Sequence, residues 1–187
     1  MTEPQPQPPI LITVGKRSLT QAEAQKVVHS AAGWFLWIAA LSLLNSFAAM
    51  TNLKYGMALG LGITQVLDVI LLHLDKLPEG SDHALILRPV HLAVVGLICA
   101  GFYVIGQLAR KGNNAAFLTG TIVYAIDSLI FLFTKDVIGI ALHGFALFMI
   151  WGGYRVNIKL QEALRMAPPP PLAAPVAELA APPTDES

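Results

Sequence analysis

Residues 117–155, FLTGTIVYAIDSLIFLFTKDVIGIALHGFALFMIWGGYR, decide the fold. They read as two apolar runs, each of about twenty residues and long enough as a helix to cross a hydrocarbon core. The polar break Thr134-Lys135-Asp136 joins them. Asp127 lies eight positions before Lys135, and His143 eight positions after it. With Lys135 at a membrane edge, both side chains lie about 12 Å deep on adjacent antiparallel helices. Asp68 lies eight positions before Lys76, at the end of an earlier apolar run in the same direction. The expectation is therefore one buried polar layer of Asp68, Asp127 and His143.

Working outward, the composition agrees with a membrane chain. Of 187 residues, 55% are hydrophobic and 13% charged. Soluble domains carry about 25% charged residues. Mean hydropathy is +0.60. Net charge is zero, which gives no basic surface for nucleic acid. Cys99 is the only cysteine, so neither an intramolecular disulfide nor a cysteine metal cluster is expected.

The predicted fold is an all-α polytopic membrane bundle of five transmembrane helices within residues 19–166, in contact with the lipid bilayer. The spans are 31–50, 55–74, 89–108, 115–134 and 137–154. Residues 1–18 and the Ala/Pro-rich 167–187 read as disordered tails. Thr20-x-x-Glu23 has capping-box spacing and predicts a helix start. Trp34 and Trp37 suit an interfacial belt, as do Trp151 and Tyr154. Pro89 is placed at the first turn of span three, where its missing N–H costs nothing. Residues 75–88 are expected as a loop, and His73 and His91 as edge histidines. Five spans put the termini on opposite sides, with six Lys or Arg at each end. That tie does not orient the chain under the positive-inside rule. The acidic 75–88 loop and the Arg110-Lys111 turn favour the C-terminus inside.

Thr64 and Gln65 precede Asp68 by one turn and share its face. Gly120, Tyr124 and Asp127 likewise share one face of span four. Such polar stripes are costly toward lipid and belong in the bundle interior. The candidate site is therefore Asp68, Asp127, His143, Gln65, Thr64 and Tyr124. Ser42 and Asn45 on span one read as interhelical hydrogen-bond partners. Three uses compete for the polar layer: hydrogen-bonded glue, a proton or cation relay in a small permease or channel, and catalysis. No catalytic residue, metal ligand or cofactor is assigned. The Gly-x-Gly-Asp and Gly-x-Ser-x-Gly signatures of intramembrane proteases are missing, and no close-spaced metal-ligand motif is present. A bundle of this size is also open to assembly as a homo-oligomer.

The runs GWFLWIAALSLLNS, GLGITQVLD, YAIDSLIFLF and ALHGFALFMIWGGY resemble small uncharacterised bacterial multi-pass membrane proteins. The resemblance spans residues 31–155. It implies a helical integral protein of a bacterial inner membrane, with no assigned activity and no catalytic residues to carry over.

Overall fold

The computed structural model describes residues 10–51, 60–74 and 80–167, with side chains described from residue 86 onward in the last segment. A small hairpin comes first. Strands β1 (Leu11–Val14) and β2 (Arg17–Thr20) pair antiparallel, with Ile12 opposite Leu19. Gly15 takes the left-handed turn position at φ 62°. The expected disordered tail is thus corrected over residues 10–18: alternation in Leu-Ile-Thr-Val points Ile12 inward, where it is buried. Residues 1–9 lie outside the described residues.

Helix α1 (Gln21–Met50) starts at the predicted cap. Glu23 N–H donates to Thr20 Oγ1, and Thr20 N–H donates to Glu23 Oε2 at 2.8 Å. Next come α2 (Gly62–Leu74), α3 (Gly80–Arg110), α4 (Asn114–Ser128), α5 (Ile130–Thr134) and α6 (Val137–Met166). Asp136 caps α6 by accepting from Gly139 N–H, and Lys135 makes the reversal at φ 56°. The predicted break at 134–136 is where the structure turns.

The all-α bundle is what forms. Four of its helices are long and apolar enough to cross a membrane: α1, α3, α4 continued by α5, and α6. The expected span 55–74 is where the structure differs. Residues 52–59 lie outside the described residues, and Gly60-Leu61 is non-helical. The thirteen residues of α2 reach about 20 Å, short of a hydrocarbon core.

Helix directions follow from what meets at each end. Gln25 and His29 near the start of α1 line the same cavity as Arg110-Lys111 at the end of α3 and Gln161 late in α6. The described chain therefore begins and ends at one end of the bundle, the terminal end. The turn 134–136 marks the opposite, loop end. This corrects the expectation of termini on opposite sides. It also breaks the charge tie. Lys16, Arg17, Lys26, Arg110, Lys111, Arg155, Lys159 and Arg165 gather at the terminal end; among the described residues the loop end holds Arg88 and Lys135.

A second correction concerns α3. It begins at Gly80 rather than at Pro89, so Pro89 sits inside the helix and much of the expected 75–88 loop is helical. His91, one turn past Arg88, is buried against the bundle rather than facing outward.

The core is layered. Phe35, Phe102, Phe117 and Tyr124 interlock through edge and tilted ring contacts between 5.9 and 6.5 Å. Small residues let helices close around them. A Cβ at Gly153 would collide with Ala31 Cβ, so α6 and α1 pack backbone to backbone. Outward faces carry Trp37, Leu97, Phe133 and Phe148, all well exposed, while Ser42, Asp68, Asp127, His143 and Asn157 point inward. Apolar outside and polar inside is the arrangement a lipid solvent selects.

Candidate functional site

The site is organised by the start of α2, which lies inside the bundle. A helix start leaves its first N–H groups without internal partners, and in hydrocarbon each would cost several kcal/mol. Here three successive donors find side chains. Leu61 N–H donates to Ser42 Oγ at 2.7 Å, and the Ser42 hydroxyl in turn donates to Ile38 O. Gly62 N–H donates to Asp127 Oδ2 at 2.7 Å and Ile63 N–H to Asp127 Oδ1 at 2.9 Å. One carboxylate thus clamps two successive amides, with the positive end of the helix dipole toward it.

The acceptors are met as well. Thr64 Oγ1 donates to Leu61 O at 2.8 Å. His143 Nε2 lies 2.8 Å from Gly60 O, and its Nδ1 lies 2.7 Å from Gly139 O one turn back on α6. A carbonyl oxygen only accepts, so both contacts form together only when each ring nitrogen carries a proton. That state is the imidazolium. The ring lies between Tyr124, stacked at 5.2 Å, and Phe131 at 4.0 Å, beside the Asp127 carboxylate.

Gly60 makes the junction possible. Its φ of 154° disfavours a side chain, and a Cβ there would sit 2.8 Å from Asn45 Nδ2. Asn45 and Ser42 on α1, read from the sequence as hydrogen-bond partners, are both buried beside this junction.

Asp127, His143 and Tyr124 therefore meet at this junction, and Thr64 binds back to Leu61 O at the start of α2. Asp68 is not with them. It lies further along α2, where its Oδ1 meets His91 Nε2 at 2.8 Å, both residues buried. The single layer of Asp68, Asp127 and His143 is corrected to two carboxylate–histidine units on different levels. The partner of Asp68 is a histidine that sequence reasoning placed at the membrane edge. Gln65 is half-buried and leaves the Asp68 level to line an apolar cleft with Ile130 and Phe131, where its Nε2 has no partner.

Ser46 is the residue that sequence reasoning missed. It is fully buried, its hydroxyl faces the Asp68 carboxyl, and no well-formed hydrogen bond holds it. The Ser42-x-x-Asn45-Ser46 cluster was its signal, since three polar groups late in an apolar span imply a buried face. The hydroxyl of Tyr124 is likewise buried and unpartnered, within electrostatic reach of Asp127. Ser42, Asn45 and Ser46 form a polar stripe along α1 between the two units.

Among the described residues, no group of three or more His, Cys, Asp or Glu side chains is placed to hold a metal ion. Comparison of the chain with protein-family models, with curated proteins and with solved structures gave no match.

Proposed function

We propose that this chain is a small proton- or cation-linked permease or channel of a bacterial inner membrane, with protons held at the two carboxylate–histidine units. The carrying observation is His143, whose two ring nitrogens face Gly139 O and Gly60 O beside Asp127. Losing one proton from that ring removes one of the two donors. The loss then either frees the Gly60 carbonyl, and with it the entry of α2, or frees the turn of α6. Proton occupancy and backbone position are coupled by that geometry. Ionisable residues at membrane depth mark proton and ion paths more often than lipid-facing structure does. The inner-membrane assignment rests on the sequence resemblance alone. The excess of cations at the terminal end supports placing that end in the cytoplasm.

The test is proton flux into liposomes holding the purified protein and an internal pH dye, between roughly pH 5 and pH 8, where histidine changes charge. The wild type should carry protons above the level of empty liposomes. Folded Asp127→Asn and His143→Gln proteins should fall to that level. Flux equal to empty liposomes for the wild type would remove the permease reading.

A second reading has its own support. Both oxygens of Asp127 and both nitrogens of His143 are already engaged by backbone groups. In that reading the units are interhelical glue in a structural or interaction subunit, and protein partners should co-purify with the intact chain. Background flux together with a large stability loss in the same variants would select it.

A further inference from the structure

At the terminal end, away from both carboxylate–histidine units, a cavity of about 400 Å³ opens between α1, α3 and α6. Its polar lining is Gln25, His29, Arg110, Lys111, Asn157 and Gln161. No carboxylate contributes to it. Two of these residues keep buried polar atoms without partners: Arg110 Nε and Asn157 Oδ1. Asn157 is fully buried and its orientation is fixed, because its amide nitrogen donates to Gly112 O and to Asn114 Oδ1. The orphaned oxygen must then look for a donor, while the guanidinium looks for an acceptor. Arg110 also reaches inward, its Nη2 lying over Gly33 of α1. No ion pair of Arg110 with a carboxylate forms among the described residues.

We propose that this cavity binds an anionic phosphate ligand that also offers a hydroxyl, a P–OH in inorganic phosphate or a headgroup glycerol hydroxyl in a phospholipid. The guanidinium fork of Arg110 takes two phosphate oxygens, the geometry for which arginine is best suited. Lys111, and His29 when protonated, add charge at the rim. Asn157 Oδ1 accepts from the ligand hydroxyl, which closes the last unmet atom. A net-neutral chain that collects most of its described cations at one end, beside a cavity with no acid, is built to hold an anion there. The same chemistry is offered by an anionic lipid headgroup such as phosphatidylglycerol and by free inorganic phosphate. A basic pocket between helices at the membrane boundary is where such headgroups dock. This inference does not depend on proton flux.

The experiment uses the full chain in neutral detergent and has two arms. In one, phosphatidylglycerol or phosphatidylcholine is titrated, with bound lipid counted by native mass spectrometry. In the other, inorganic phosphate is titrated against chloride at equal ionic strength, with thermal stabilisation as the readout. Selective retention of phosphatidylglycerol assigns the site to a lipid headgroup. Stabilisation by phosphate alone assigns it to a soluble phosphate. In either case Arg110→Gln should weaken binding by about fivefold or more, the factor one basic residue commands at a membrane surface. Arg110→Lys should recover part of it, and Lys159→Gln, outside the cavity, should have no effect. If Arg110→Gln does not fold, Gln161→Glu places a repelling carboxylate in the same cavity and should have the same effect. No preference for either probe, or binding unchanged in the cavity variants, would overturn the proposal.

Discussion

Replacing Asp127 by Asn probes the clamp with almost no change of volume. The wild-type carboxylate accepts from Gly62 and Ile63 N–H at 2.7 and 2.9 Å. Hydrogen bonds to a charged group contribute about 1.5–3 kcal/mol each, and a buried donor left unpaired costs about 1–3 kcal/mol. Asn keeps one acceptor oxygen but turns an NH2 toward the other amide. Its cost should be about 2–3 kcal/mol, and that of Asp127→Ala about 3–5 kcal/mol. An ordinary side-chain contact between membrane helices is worth only about 0.6 kcal/mol, so the two cases are well separated. Reversible unfolding in mixed micelles gives the free energy. Amide hydrogen exchange at Gly62 and Ile63 gives the location, since these two protons should lose protection before the rest of α2. Ser128→Ala is the control, because that hydroxyl only returns to Ala125 O of its own helix; its cost should stay below about 0.5 kcal/mol. An Asp127→Asn protein as stable as wild type, with both amides still protected, would refute the clamp.

Two further outcomes follow from the same geometry. Gly60→Ala places a Cβ against Asn45 at a φ that disfavours it, and should destabilise by about 2–4 kcal/mol in the same unfolding assay; a neutral result would mean the junction can relax. With Cys99 replaced by Ser, single cysteines at Lys16 and Lys159 should react with an impermeant maleimide from one side of sealed vesicles and a cysteine at Lys135 from the other; labelling of the first two from opposite sides would restore an odd number of crossings.

The long spans were legible because an apolar run in a membrane chain has few alternatives, and the Thr20–Glu23 box has one reading. The level shared by Asp127 and His143 was legible too. It needed only a tight turn at Lys135 and two regular helices. Asp68 was misplaced because its depth was counted from Lys76 as though span two ran unbroken. The helix instead begins at Gly62, where Asp127 caps it, so Asp68 lies about 9 Å further toward the loop end. Pro89 was misplaced for a related reason. Proline usually marks a first turn, but here α3 has already run from Gly80. Both errors come from helix boundaries that tertiary contacts set. Gly60-x-Gly62 was the local sign that a close backbone approach, not continuous helix, was intended.

The late origin of the groups that secure α2 bears on how the chain is made. Gly62 and Gly60 are held by side chains that follow them by 65 and 83 positions. When residues 60–74 leave the ribosome, neither Asp127 nor His143 has yet been synthesised. The segment must wait, in water or against the insertion machinery, with its first amides solvated. It can take its buried place only after α4 and α6 arrive. A chain truncated after Asn113 would keep α1 to α3 but lack both anchors, and should be recognised by membrane proteases as unfinished. The first half of the chain is thus secured only when the last two crossings are in place.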